Sequence, residues 1–296
     1  MHSFGVRWRA WPDRLRLYWQ LARLDRPIGT LLLLWPTLTA LWFAARGWPG
    51  WGLLAIFVTG TWLMRSAGCA INDVADRHFD ADVKRTARRV VATGQVAVSE
   101  ALTVAAVLAA GAALTLRWLN PAARAGALAA LVVAAAYPFF KRFFVLPQAV
   151  LGIAFSFGIP MAFAAVQGRL AAVGGWMLAA NFFWVMAYDT EYAMVDRDDD
   201  LKLGLRSSAI LFGRADVAIV ACCYAVYLAA IALLAWHERL GPGFAAGWVV
   251  AVGCALYHVM LIRQRQREAC FRAFLHNQWL GLAIFAGTVA GFAARP

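Results

Sequence analysis

Asn72, Asp76 and Asp80 recur at i, i+4 and i+8 within 72-NDVADRHFDADVKR-85, and Asp196 and Asp200 at i, i+4 within 189-DTEYAMVDRDDD-200. On a helix each set stacks into one row on one face. Carboxylates stacked in this way repel one another and weaken the helix unless a cation offsets them. All-oxygen donors are hard ligands that suit Mg2+, an ion that keeps some of its water and is completed by substrate phosphates rather than by a full protein cage. Basic residues lie close by: Lys84, Arg85, Arg88 and Arg89 after the first row, Lys202 and Arg206 after the second, and Lys141 and Arg142 in 137-YPFFKRFFVLPQ-148. A metal with Arg and Lys clamps is what diphosphate chemistry needs, because charge builds on the leaving oxygens as a P–O or C–O bond breaks.

These charges belong to an apolar chain. Of 296 residues, 62% are hydrophobic and only 15% charged, against roughly a quarter charged in soluble domains, and the mean hydropathy is +0.63. Crossing roughly 30 Å of hydrocarbon takes about 20 helical residues. Apolar runs of that order occur near 27–45, 51–71, 100–116, 122–140, 146–166, 173–194, 216–236, 242–262 and 275–293. The expected fold is therefore all-α, a polytopic membrane protein of about nine transmembrane helices. Assigning alternate loops to alternate sides puts 21 of the 28 Lys and Arg residues on one side. Cytoplasmic loops keep positive charge, so the N-terminus and both acidic segments are expected in the cytoplasm. The net charge of +12 follows from this bias and suits anionic lipid; no nucleic-acid partner is expected. Residues 1–22 mix Trp8, Trp11, Leu15, Leu17 and Trp19 with arginines, the pattern of an amphipathic helix lying in the interface, ahead of a transmembrane domain over 23–296. The five cysteines show no CxxC and no zinc-binding spacing with histidine.

Carboxylates at the ends of apolar helices are functional candidates, because ionisable groups are costly there. A diphosphate site at the membrane surface, with aromatic-rich spans beneath it, points to a lipid diphosphate whose tail lies among the helices. The segments NDVADRHFD, VKRTARR, YPFFKRFFVLPQAVLGIAFSFGIPMA and YDTEYAMVDRDDDLKLGLRSSAILFG closely resemble the UbiA superfamily of intramembrane prenyltransferases, and within it the bacterial branch acting on 4-hydroxybenzoate. The resemblance runs from about Arg23 to the last span. One departure is Val90, which follows Arg89 where the family usually has Pro.

The resemblance implies a helical bundle around a central cavity capped by cytoplasmic loops. It implies that Asn72, Asp76 and Asp80 face Asp196 and Asp200 and hold Mg2+ on a polyprenyl diphosphate. The implied reaction, a step of ubiquinone biosynthesis in the bacterial inner membrane, ionises the allylic diphosphate and joins its C1 carbon to the carbon ortho to the hydroxyl of 4-hydroxybenzoate. Arg142, with Lys141, Arg85, Arg89 and Lys202, would share the charge of the departing diphosphate. Tyr137, Phe155 and Tyr188 are candidates to shield and stabilise the allyl cation, Tyr188 also to touch the acceptor, although for each aromatic taken singly simple helix packing is the stronger reading.

Arg65 lies inside the second apolar run, seven residues before Asn72 and so on the same face. A guanidinium there needs an anionic partner, either a neighbouring aspartate or the carboxylate of 4-hydroxybenzoate. Asp189, seven residues before Asp196, could orient or deprotonate the phenol. Three competing readings stand beside this one: another aromatic acceptor within the superfamily, an intramembrane aspartyl protease, and a divalent-cation transporter. The chain lacks the protease GxGD pattern. A transporter would need carboxylates through the depth of the membrane rather than at one face.

Overall fold

A computed structural model of the chain describes residues 11–140 and 144–294, without the side chains of residues 11, 12, 79 and 135–140. Lys141, Arg142, the Tyr137 side chain and the first ten residues of the expected interfacial helix lie outside the described residues. Among those described, all regular structure is helical. The order is α1 (Trp11–Leu21), α2 (Ile28–Ala45), α3 (Trp51–Asp80), α4 (Val98–Thr115), α5 (Pro121–Phe140) and α6 (Pro147–Ser156). It continues with α7 (Gly158–Gln167), α8 (Ala172–Lys202), α9 (Ser208–Phe212), α10 (Asp216–His237), α11 (Pro242–Ile262) and α12 (Arg267–Ala293).

Each apolar run falls on a helix, but the expected count of nine crossings is met in part. Among the described residues, six helical segments are long and apolar enough to span a membrane: Ile28–Ala45, Trp51–His78, Val98–Trp118, Pro147–Gln167, Ser208–His237 and Pro242–Ile262. Three runs outgrow their expected bounds, among them the last, expected over 275–293, where α12 already begins at Arg267. The run expected over 51–71 continues as α3 to Asp80, and that over 173–194 continues as α8 to Lys202, so both aspartate rows ride on the last turns of long helices rather than in loops. The run over 146–166 is interrupted at Phe157, between α6 and α7. Pro160 has no N–H to give to the carbonyl of Ser156, and Gly158 sits where a Cβ would lie 2.1 Å from Thr37 Oγ1.

The chain divides into two compact units. The first combines Met1–Thr30 with Val58–Arg117. Its apolar core joins Leu17 and Leu21 of α1, Ala70 of α3, Val90, Val91 and Val96 of the following loop, and Ala101 and Ala105 of α4. Val90, the departure from the family pattern, is 3% exposed in this core. α1 is tied to the start of α4 by Arg14, which pairs with Glu100 at 3.2 Å, and by Tyr18, whose hydroxyl donates to the same carboxylate. Leu15 and Trp19 remain exposed.

The second unit combines Leu31–Phe57 with Trp118–Pro296. Its core surrounds α8, with Trp184 stacked on Tyr227 at 5.4 Å between ring centres. α11 and α12 approach closely because both carry small residues at four-residue spacing, Gly243 and Gly247 against Gly287 and Gly291. Such spacing lets helix backbones meet in a membrane, where apolar burial between helices supplies little drive.

Candidate active site

In the first unit the end of α3 presents four polar side chains in two settings. Asp73 is 1% exposed. Arg23 grips both its oxygens, at 2.7 and 2.9 Å, and Arg89 lies 3.2 Å away. Asp80 is nearly as buried, at 5%, and Arg89 Nη1 reaches its two oxygens at 3.1 and 2.9 Å. Asn72 and Asp76 lie half-buried on the row between. The loop that brings Arg89 back is held locally, since the Thr86 hydroxyl donates to the Asp80 carbonyl at 3.0 Å and Val90 anchors in the core beyond it. Burial pushes the Asp80 carboxyl above its ordinary range; Arg89 works against this shift and Asp76 adds to it.

In the second unit α8 carries the other row. At about 100° per residue, Asp189, Asp196 and Asp200 share one face, with Asp196 buried and the other two half-buried. Arg197 and Asp199 fall on its two flanks and are ion-paired elsewhere. Arg197 lies 3.6 Å from Asp216, the first residue of α10, and Asp199 takes both Nη1 and Nη2 of Arg267, at 3.0 and 3.1 Å. Asp216 is fully buried and is gripped again by Arg265, at 2.6 Å from Nη2. Past the end of α8 the chain turns through Gly204, at φ 66°, and returns so that Thr190 donates to the Ser208 hydroxyl at 2.9 Å. The run DRDDD therefore divides its work: residues 196 and 200 face one way, and 197 and 199 fasten the segment.

Other expected residues stand as follows. Arg65 donates to Cys69, and its guanidinium fills the space beside Gly29, where a Cβ would lie 2.4 Å from Nη2. Tyr188 is 1% exposed, edge-on to Trp184 at 5.5 Å and tilted against Phe274 at 6.3 Å, which makes it a core residue of the second unit. Phe155 packs at the border of that core. Arg85 is half-buried and Lys202 exposed. Arg89 has its charge engaged by two aspartates, so a role on diphosphate would require it to release Asp80.

The donor set fits a hard divalent cation only if other ligands complete the shell. Among the described residues no three His, Cys, Asp or Glu side chains converge closely enough to hold an ion by themselves, while Arg89 pairs with both Asp73 and Asp80 and Arg23 pairs with Asp73.

The sequence reading passed over one constellation, on the far side of α8. Glu191, with none of its surface exposed, accepts from Tyr224 at 2.8 Å and from Asn277 Nδ2 at 2.8 Å. Trp184 Nε1 donates to Asn277 Oδ1 at 2.9 Å. The signal available was a set of single polar residues inside apolar runs, each of which needs a partner.

Long apolar helices whose ends carry rows of carboxylates beside arginines define a polytopic membrane protein built to act on an anionic substrate. The model of the UbiA prenyltransferase family matches residues 33–285. The chain belongs to that family. A 4-hydroxybenzoate octaprenyltransferase of Herminiimonas arsenicoxydans is 58% identical over 284 residues, 96% of this chain and 100% of the relative. The enzyme of the same name from Cupriavidus necator is 58% identical over 96% of this chain and 99% of its own length. Among solved structures, the apo UbiA homologue from Aeropyrum pernix K1 superposes with a TM-score of 0.78 at 24% identity, covering 88% of this chain and 97% of that one. A UbiA homologue from Archaeoglobus fulgidus bound to GPP and Mg2+ gives 0.70 at 16% identity, over 93% and 99%. These two likenesses show the fold.

Proposed function

We propose that the chain transfers a polyprenyl group from a polyprenyl diphosphate to the carbon ortho to the hydroxyl of 4-hydroxybenzoate, in ubiquinone biosynthesis at the bacterial inner membrane. The observation that carries the reading is near-full-length identity of 58% to relatives named for that reaction, in a chain that keeps both aspartate rows. Those names also suggest octaprenyl diphosphate as the donor. Mg2+, when bound, would supply Lewis-acid neutralisation of the departing diphosphate. Asn72, Asp76 and Asp80, with Asp196 and Asp200, would hold it there.

The chain's own residues then have separable tasks. Arg142, Lys141, Arg85 and Lys202 meet diphosphate oxygens, and Arg89 keeps Asp80 in place until substrate arrives. Their charge is most useful as the C–O bond breaks, so it acts on the transition state. Arg65 holds the acceptor carboxylate, and Asp189 orients the phenol. Apolar and aromatic walls, including Tyr137 and Phe155, keep water from the allyl cation, which is attacked by the ring carbon; the ring then loses its proton to restore aromaticity. We further propose that residues 1–22 form an amphipathic helix lying in the cytoplasmic interface, with the exposed Leu15 and Trp19 of α1 turned to lipid.

Mass spectrometry of products made by the purified protein tests the reading, with prenyl diphosphates of several lengths and a panel of aromatic acids. A metal-dependent prenylated 4-hydroxybenzoate is expected. Preference for another aromatic acid would move the chain elsewhere in the family.

A further inference from the structure

We infer that the buried polar knot around Glu191 is the positioning element that sets Asp196 and Asp200, an inference that rests on the function proposed above. The knot joins four helices. Glu191 and Trp184 come from α8, Tyr224 from α10, His258 from α11 and Asn277 from α12. Besides the bonds to Glu191, the Tyr224 hydroxyl lies 3.1 Å from His258 Nδ1 and 3.0 Å from Asn277 Oδ1. His258 Nε2 lies 2.9 Å from His276 Nδ1, and Asn277 Nδ2 also reaches the Ala273 carbonyl at 3.0 Å. Glu191, His258 and Asn277 have no measurable exposure, and Tyr224 only 2%.

Polar groups buried among apolar spans are tolerated only when bonded. Here the bonding permits one arrangement. Both Glu191 oxygens accept, one from a rigid phenol and one from a carboxamide that is itself held by an indole and a backbone carbonyl. A slide of α8 by one residue, about 1.5 Å with about 100° of rotation, would break at once the three bonds that α8 makes in the knot, Glu191 to Tyr224 and to Asn277 and Trp184 to Asn277, whereas an apolar contact surface could repack at modest cost.

The aspartate row stands on the opposite side of the same rigid rod. Asp196 is five residues on from Glu191, about 140° around the helix, and Asp200 nine residues on, about 180° around. Carboxylates standing about 6 Å from the helix axis move by about 2 Å for each 20° of rotation, and displacements of about 1 Å already cost a reaction of this kind about a hundredfold. The pairs Arg197–Asp216 and Arg267–Asp199 steady the end of the rod, and the knot fixes its rotation within the bundle.

A carboxamide can take the place of the Glu191 carboxylate. Its Nε2 would donate to the Tyr224 oxygen, and the freed phenol proton has acceptors waiting at Asn277 Oδ1 and His258 Nδ1. Leucine offers neither function.

The test compares Glu191→Gln, Glu191→Leu and, as an apolar control, Ile231→Ala, a residue of the same core 2% exposed on α10. In detergent at temperatures where each protein is folded, three readouts are taken: Tm, the rise in Tm on adding Mg2+ with farnesyl thiodiphosphate, and kcat with KM for both substrates. Glu191→Gln should stay within about twofold of wild type throughout. Glu191→Leu should lose most of the ligand-induced rise and at least about tenfold in kcat, with the 4-hydroxybenzoate KM within about twofold. Ile231→Ala should lower Tm yet keep the ligand-induced rise and its kcat within about threefold. If Glu191→Leu does not fold, Tyr224→Phe, which deletes one hydroxyl, should lose about fivefold or more in kcat. The inference is overturned if Glu191→Leu behaves like Ile231→Ala, if Glu191→Gln is as impaired as Glu191→Leu, or if Tyr224→Phe keeps its kcat. A wild-type protein that neither turns over nor is stabilised by the thiodiphosphate would overturn the proposed function itself, and the role of the knot with it.

Discussion

Asp73 and Asp76 are three residues apart in one motif, yet their surroundings give them different work. Asp73 is sealed between Arg23 and Arg89, whereas Asp76 lies half-buried on the row. Asp73→Ala would leave two guanidiniums facing a void, and loss of one partner from a buried pair costs about 3–5 kcal/mol; a marked fall in Tm is the expected result. Asp76→Ala should abolish turnover, because Asp76 belongs to the row proposed to hold the metal. An Asp73→Ala protein with the wild-type Tm would show that its pair with Arg23 does not hold the first unit together. Helical period puts Asp73 about 100° around the helix from Asn72 and so off the row, and that much is legible in the sequence. Its partner Arg23, fifty residues earlier at a left-handed φ of 55°, is not, because no local pattern announces a long-range ion pair. The acceptor question also sits at this scale. Arg65→Ala should raise the KM for 4-hydroxybenzoate at least about tenfold and leave that for the prenyl diphosphate little changed. Gly29→Ala, by crowding the same guanidinium, should do so more weakly. If both variants instead weaken diphosphate binding, Arg65 serves the aspartates and not the acceptor.

Among the elements, α3 and α8 show what the sequence could and could not give. Apolar length located each helix, but a boundary drawn where apolar residues stop came too early, since nothing in NDVADRHFD or in DTEYAMVDRDDD breaks a helix. The first glycine after the α3 row is Gly94, and after the α8 row it is Gly204. Boundaries set by hydropathy mark the edge of hydrocarbon, and helices end where backbone bonding ends. The knot behind α8 stayed hidden for another reason: Glu191, Tyr224, His258 and Asn277 are each a single polar residue in an apolar run, and only packing brings them together. The α11–α12 pair offers a sharper test of packing. A Cβ on Gly247 would lie 2.4 Å from the Ala283 carbonyl and 2.7 Å from Gly287 Cα, both backbone atoms that cannot swing away. Gly247→Val should therefore destabilise by about 1–3 kcal/mol or more, read as a lower Tm in detergent. Gly253→Ala on the same helix, where nothing lies within 4 Å, should be neutral. Equal losses in the two variants would point to backbone entropy rather than close approach as the reason for glycine.

For the whole molecule, charge decides which way the chain crosses the membrane. The 21 Lys and Arg residues assigned to one side include those next to both aspartate rows, so the charges that the positive-inside rule keeps in the cytoplasm are also those proposed to meet the diphosphate. That agreement can be checked without an activity assay. Among the native cysteines only Cys222 is exposed, and the other four are buried, so Cys222→Ser gives a quiet background for labelling. In that background, Thr93→Cys lies in the loop after α3 and Arg169→Cys in the loop before α8, both at exposed positions. A membrane-impermeant maleimide added to intact spheroplasts should label Arg169→Cys, and should reach Thr93→Cys only after permeabilisation. The inverse pattern would put the acidic rows on the outer face and would leave the basic loops without their topological explanation. Labelling of both sites from outside would mean that the number of crossings between residues 93 and 169 is even. The stretch contains α4, α5 and the broken pair α6 and α7, and three crossings there require the opposite result.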